Sequence, residues 1–523
     1  MLRRIPLLLL LFGASGFQAL AEVASLRMTA PDLALTGIPF TIELKALDPE
    51  GALLTDFAGP ASISGLEGPW SVESPPTFEG GRLILGEARL PHRGRHQIRV
   101  EAGGVAEIGT VRVIPGLLSL LPPLLAILLA LIIRQVVVSL AAGIWLGAVI
   151  LFDYDVFGGM FRVVDHFVVN SLTETSHVQI ILFSMLFGGM VGVITRNGGT
   201  RGIADLITRF ARTARGGQIA TWAMSFVLFF DDYANVLVRG NLMRPITDKL
   251  RISREKLAFL VDTGAATVAS IFLISTWIGY EVGLIDQGLR MIGSTQSAYA
   301  MFIETIPYRF YPLFALILAL LVSWTNRDFG PMLTAERRAR RTGQTLRPGS
   351  RPATDLTETT VESESETPPR WINGLLPILT ILAVGLGGLW MTGVAALQEQ
   401  GAASYGIGEI ISEADSYAAL LWASLAGCLV AILLTVAQRI MKLIETMDAW
   451  FSGLKAMLLA MVILVLAWSI GAVTEELHTA GYLVEILRGT LSPFWLPVLT
   501  FLIAALMAFA TGTSWGTMAI MMP

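Results

Sequence analysis

Apolar residues follow two unlike rhythms along this chain: short runs alternating with polar positions up to Pro115, and long unbroken runs from Leu117 onward. In the first part Phe40-Thr41-Ile42-Glu43-Leu44 and Gln97-Ile98-Arg99-Val100 alternate with period two, punctuated by Pro49-Glu50-Gly51, Gly80-Gly81 and Gly103-Gly104. Period two puts the apolar side chains on one face of a strand, and the closely spaced turns predict a small Ig-like β-sandwich over 22–115. The later runs predict membrane spans at 117–133, 136–152, 178–195, 217–238, 257–279, 309–325, 372–392, 417–437, 456–474 and 491–523. Ahead of both, Arg3 and Arg4 precede the apolar stretch Ile5 to Phe12, and Ala19-Leu20-Ala21 is a small-x-small cleavage site. That pattern predicts a signal peptide over 1–21 and an exported β-domain after it.

Composition agrees with the second rhythm. Hydrophobic residues make up 54% and charged ones 15%, with a mean hydropathy of +0.64, the profile of an integral membrane protein. The net charge of −4 offers nothing to nucleic acid. The single cysteine, Cys428, excludes an internal disulfide. Between the spans, 326–370 carries Arg337, Arg338, Arg340 and Arg341 and then a Ser/Thr/Glu-rich half, which predicts a disordered cytoplasmic loop.

The basic residues set orientation. The loop with Arg196, Arg201, Arg209, Arg212 and Arg215, the loop with Arg239, Arg244, Lys249, Arg251, Arg254 and Lys256, and the 326–370 insert are all expected on the cytoplasmic side. The run 217–238 then has basic loops at both ends, which a single crossing would violate. A re-entrant hairpin turning near Asp231 to Asn235 removes the conflict, and it puts irregular backbone at membrane depth, where it must line a cavity or lie inside protein.

A shift of 279 positions lays Gly192 on Gly471, Thr195 on Thr474, Thr200 on Thr479, Gly202 on Gly481, Arg209 on Arg488, Phe230 on Phe509 and Met243 on Met522. The same shift sets Asp232-Tyr233-Ala234-Asn235 over Thr511-Gly512-Thr513-Ser514, a second polar break in an apolar run. The first copy has arginine-rich flanks, whereas the second carries Glu475, Glu476, His478 and Glu485. Opposite flanking charge implies opposite orientation. The fold class expected is therefore a mainly α, polytopic membrane transporter of inverted repeats with re-entrant hairpins and broken helices, plus the small N-terminal all-β domain. The repeats are placed at 116–325 and 371–523, and the second copy stops at Pro523 without a partner for the 257–279 span, so further C-terminal spans are expected.

Asp231 and Asp232 carry the chemistry. Two neighbouring carboxylates in a low-dielectric site resist being ionised together, so the pair holds a proton that a cation can displace. Asn235 offers a carboxamide oxygen, and Thr511, Thr513 and Ser514 offer hydroxyl and backbone oxygens, the hard ligands that small cations prefer. Either aspartate alone could instead cap a half-helix. Asp262 is a further candidate ligand or proton carrier, followed by Thr263, Thr267, Ser270, Ser275 and Thr276, hydroxyls that either line a path or bond back to the preceding turn. Glu475, Glu476 and His478 fit a solvated helix end or a pH sensor, and Trp277, Trp468 and Trp515 fit packing positions.

The run Leu121-Pro122-Pro123, Arg134-Gln135-Val136, Gly143-Ile144-Trp145-Leu146-Gly147, Phe230-Asp231-Asp232-Tyr233-Ala234-Asn235, Trp468-Ser469-Ile470-Gly471-Ala472-Val473-Thr474 and Thr511-Gly512-Thr513-Ser514-Trp515-Gly516-Thr517 resembles the NhaC family of sodium/proton antiporters, within the ion transporter superfamily. The resemblance spans roughly 117–523 and implies exchange of Na+ for H+ across a bacterial inner membrane, without cofactor or enzymatic activity. Relatives of this type also exchange carboxylates such as malate and lactate, so a sodium- or proton-coupled carboxylate or amino-acid exchanger is the alternative. A carboxylate would call for an arginine in the cavity, and Arg239 and Arg244 are assigned here to the cytoplasmic loop. More distant readings are a membrane-embedded aspartyl protease, prompted by Asp262-Thr263-Gly264, and a receptor. The partners expected are Na+, H+, the lipid bilayer, a second copy of the chain and an unidentified periplasmic partner of the β-domain.

Overall fold

Alternation along the first hundred residues becomes nine strands: β1 Ser25–Thr29, β2 Leu33–Leu35, β3 Phe40–Leu47, β4 Gly59–Pro60, β5 Ser62–Ser64, β6 Thr77–Phe78, β7 Arg82–Ala88, β8 Gly94–Ala102 and β9 Val105–Ile114. They make a sheet ordered β1-β3-β7, a second ordered β2-β9-β8-β5, and the small pair β4-β6. The inward positions Ile42 and Leu44 of β3, Ile98 and Val100 of β8, and Val111 and Val113 of β9 share one core. Gly103 and Gly104 join β8 to β9 with φ of 60° and 84°, left-handed backbone that only glycine adopts without strain. The computed structural model describes residues 23–68, 75–133, 135–208, 211–227, 229, 232–350, 368–401, 406–487, 491–511 and 514–522. The 1–21 leader lies outside them.

Internal packing divides the chain into two units, the first being Met1–Leu124, Leu146–Val156 and Val473–Pro497, and the second the remainder. Within the first unit the β-domain is pinned to helix-connecting segments. Arg112 of β9 pairs with Asp153 at 2.7 Å and donates to the Ile150 carbonyl, while Arg95 reaches Asp153 at 2.8 Å. Asp153 and Tyr154 both have left-handed backbone, with φ of 55° and 63°, which costs a side-chain-bearing residue energy and aims both at the sheet. Arg89 approaches Glu485 at 3.6 Å, and Thr479 donates to the Ser119 carbonyl at 3.0 Å.

These contacts have a pH sense. Hydrogen bonds from Arg112 and then Arg95 hold the Asp153 carboxylate below its usual 3.8. Burial pushes His478 below 6.5, against the raising effects of a hydrogen bond with the Leu33 backbone and of the Glu475 charge. Depressed values mean that both groups bind fewer protons in place than when freed, so their stabilisation is full at higher pH and is lost as pH falls through them. His478 responds first, below 6.5. Limited proteolysis should therefore release the β-domain faster at pH 5.5 than at 7.5, and Arg112→Ala should speed release at both. Equal rates at the two pH values would contradict this coupling.

Beyond the β-domain the chain is helical. In chain order the described helices are α1 Leu117–Ile133, α2 Val136–Leu151, α3 Val156–Arg162, α4 Val169–Thr173, α5 Thr175–Arg196, α6 Gly199–Thr208, α7 Ala214–Val227, α8 Asp232–Lys249, α9 Arg254–Ile271, α10 Thr276–Met291, α11 Ala298–Thr305, α12 Phe310–Thr325, α13 Gly330–Thr342, α14 Ile372–Glu399, α15 Ile407–Glu413, α16 Ser416–Ala437, α17 Leu443–Glu476, α18 Thr479–Leu487, α19 Leu496–Thr511 and α20 Ser514–Met521. Among the described residues, five helical segments, including α5, α14, α16 and α17, are long and apolar enough to cross a bilayer. The protein is a mainly α membrane protein with an added β-domain.

Shifted by 279, α6 falls on 478–487, where α18 is found, and α7 on 493–506, where a 3-10 turn from Pro493 leads into α19. Two expectations need correction. The run 257–279 is not one span, because α9 ends at Ile271 and α10 starts at Thr276. The 326–370 insert is not disordered throughout: α13 occupies Gly330–Thr342, with Glu336 accepting from the Ser253 backbone at 2.8 Å, Arg338 pairing with Glu255 at 2.8 Å, and Lys256 bonded to Asp328. Residues 351–367 of that insert lie outside the described residues.

Candidate functional site

The apolar run 217–238 is broken where the sequence places its acids: α7 stops at Val227 and α8 begins at Asp232. α7 is 14 residues long and α8, 18 residues long, carries five charged side chains, so neither is a simple apolar span, and an acid in the first turn of α8 suits the positive end of a helix. Asp232, Asn235 and Arg239 stand at i, i+3 and i+7, which places them on one face of α8. Asp232 is half-buried, and Asn235 and Arg239 are fully buried.

That face is held against two neighbours. Asn235 Nδ2 donates to the Ser225 carbonyl of α7 at 3.3 Å. The Arg239 guanidinium donates to Ser225 Oγ and to the Val261 carbonyl of α9, so one side chain bridges α7, α8 and α9. Gly264 of α9 lies against it: a Cβ there would meet Ser225 Oγ and come 2.6 Å from Nη1. Asp262 is next along α9 from the accepting carbonyl, on the exposed side of the helix, and its charge acts on Arg239.

Arg239 is a correction to the sequence reading, which put it in a water-facing loop. Its position seven residues beyond Asp232 was the signal available, since that spacing returns to the same helix face. Sequence reasoning also passed over a buried ion pair beside the break between α9 and α10. Glu281 of α10 pairs with Arg309 at 2.7 Å, and Arg309 also donates to the Ser270 carbonyl at 2.6 Å.

The hydroxyls of α9 bond back to backbone. Thr267 donates to the Thr263 carbonyl, Ser270 to Thr267 at 2.9 Å, and Ser275 to Ala269 at 2.8 Å across the break. They satisfy the chain locally and so do not carry the site.

Of the second polar stretch, α19 is described to Thr511 and α20 from Ser514, and residues 512 and 513 between them lie outside the described residues. Ser514 is half-buried and makes no hydrogen bond to α8 or α9 among the described residues. Its neighbour Trp515 is buried, and the Trp515 carbonyl accepts from Tyr280 at 2.8 Å, with the Trp277 ring centroid 6.0 Å from its own. All three tryptophans act in packing, Trp468 stacking on His177 at 3.6 Å. Asp231, Thr513 and the Thr511 side chain lie outside the described residues. Among those described, no group of three or more His, Cys, Asp or Glu side chains is placed to hold a metal ion.

The arrangement joins an acid, a carboxamide and a buried cation at a helix break, groups of the kind that can bind small charged species within a membrane. The profile of the Na+/H+ antiporter family matches residues 268–523, a range that starts beyond Asp262. A Haemophilus influenzae protein described as uncharacterized is 30% identical over 410 residues, covering 77% of this chain and 76% of that protein. The solved structure of Neisseria gonorrhoeae MtrF, reported as illuminating a class of antimetabolite efflux pumps, matches at 15% identity with a TM-score of 0.42, covering 70% of this chain and 69% of its own. The chain belongs to the Na+/H+ antiporter family of secondary transporters.

Proposed function

We propose that this transporter exchanges Na+ for H+ across the bacterial inner membrane, with its β-domain on the periplasmic side. The observation that carries the reading is the polar face of α8, where Asp232 and Asn235 sit at a helix break against α7 and α9. Asp231, Asp262 and the second-copy residues Thr511, Thr513 and Ser514 complete the proposed ligand set. One deprotonated acid of the pair binds sodium from the cytoplasm, the hairpin-bearing units rock against the other spans, and external protons displace the ion. A shared seat open to one side at a time suffices for exchange, and no cofactor enters.

Arg239 supports a second reading, because a buried arginine is what a carboxylate substrate needs. One assay separates the two. Everted vesicles containing the full-length protein, energised to an acidic interior and followed with a pH-sensitive dye, should lose part of the gradient when sodium is added. A response to malate without one to sodium would reject Na+/H+ exchange.

A further inference from the structure

Arg239 is the one fully buried arginine among the described residues, and its two holders are neutral, Ser225 Oγ and the Val261 carbonyl. Its Nε finds no hydrogen-bond partner among those residues. A buried cation with no anion at contact among the described residues is a costly arrangement, kept where a partner arrives at another stage of the cycle. Asp262 is the described carboxylate whose charge reaches it, one residue along α9 from the carbonyl on which the guanidinium rests. Glycine at 264 keeps this resting place open, since any side chain there would strike Ser225 Oγ and both terminal nitrogens of Arg239.

We propose that Arg239 is a resident cation that competes with the transported ion for the Asp262 carboxylate. With sodium bound, the guanidinium rests on Ser225 and Val261; once sodium has left, it moves along α9 to pair with Asp262. The two acceptors, the Val261 carbonyl and the Asp262 carboxylate, are on consecutive residues of α9, so the guanidinium has a short way to go. Arg239 then acts as a positioning residue: it lowers sodium affinity, speeds release, and leaves the empty site with its own compensating charge. Asp232, on the same face of α8, is the other described acid that this charge would balance.

The inference rests on sodium exchange at this site, and two substitutions test it with opposite signs. In the vesicle assay Arg239→Gln removes the competitor, so the half-saturating sodium concentration should fall several-fold while the maximal rate also falls. Gly264→Ala keeps the charge but evicts it from its resting place toward Asp262, so half-saturation should rise several-fold. Arg239→Lys, which keeps a mobile cation, should stay within about twofold of the wild type. For a variant too slow to assay, sodium-dependent thermal stabilisation of the purified protein reads the same shifts in affinity. A merely structural role would lower the maximal rate in both variants and leave half-saturation unmoved, and that result overturns the proposal. Half-saturation that rises in Arg239→Gln overturns it as well. A wild type that ignores sodium overturns the exchange reading and this inference together, whereas wild-type exchange with unmoved half-saturation overturns the inference alone.

Discussion

Asp232→Asn is expected to abolish sodium-driven proton movement while leaving the protein folded. Asparagine keeps the size of the side chain and its ability to cap the start of α8, so the local geometry survives. What it removes is a carboxyl group at a half-buried position in the first turn of α8, on the face that carries Asn235. Taking away one partner of a buried charge interaction costs roughly 3–5 kcal/mol, a loss of about a hundredfold or more in affinity. The vesicle assay should therefore show no sodium response at concentrations that saturate the wild type. Thermal unfolding and β-domain proteolysis should match the wild type, which distinguishes a lost ligand from a lost fold. Wild-type exchange by Asp232→Asn would remove this acid from the mechanism.

The second large effect is structural and falls where α5 meets α17. Gly188 and Gly192 of α5 face Gly453 of α17 so closely that backbone touches backbone. A Cβ on Gly453 would meet the Gly188 carbonyl oxygen and stand 3.0 Å from Gly189 Cα, and one on Gly192 would meet the Ala449 carbonyl oxygen and stand 2.9 Å from Gly453 N. Small residues allow such approach, and in lipid this packing holds helices together in the absence of a hydrophobic drive between them. The atoms in the way are main chain and cannot rotate aside, so Gly453→Val must separate the helices. The expected cost is about 3 kcal/mol or more, a large share of a typical total stability. Purified Gly453→Val should unfold at least about 5 °C below the wild type, or fail to accumulate in membranes. An unchanged melting temperature would mean that the α5–α17 contact carries little of the stability.

Features with a local signal were legible in the sequence. Alternation at Ile98 and Val100 fixed the inward face of β8, and the acids at 231 and 232 marked the break between α7 and α8. The 279-residue shift laid α6 on α18 because glycines and threonines, unlike leucines, seldom recur at one spacing by chance. Features settled by distant partners were not legible. The break at 272–275 runs through Phe272-Leu273-Ile274, as apolar as the helices on either side. Helix α13 looked like a solvated basic stretch because its partners, Ser253 and Glu255, lie about eighty positions earlier. Arg239 was misplaced because loop charge counting assigns arginine to water, whereas Ser225 and Val261 hold it inside. The attachment of the β-domain through Arg112 and Asp153 likewise joins residues with no common motif.

The central claim is that sodium and protons compete for one seat at the α7–α8 break. Its most direct test is the half-saturating sodium concentration of the wild type, measured in everted vesicles across a series of pH values. Competition by one proton predicts a rise of about tenfold for each unit of acidification on the acid side. A half-saturation that stays constant as pH falls would contradict it.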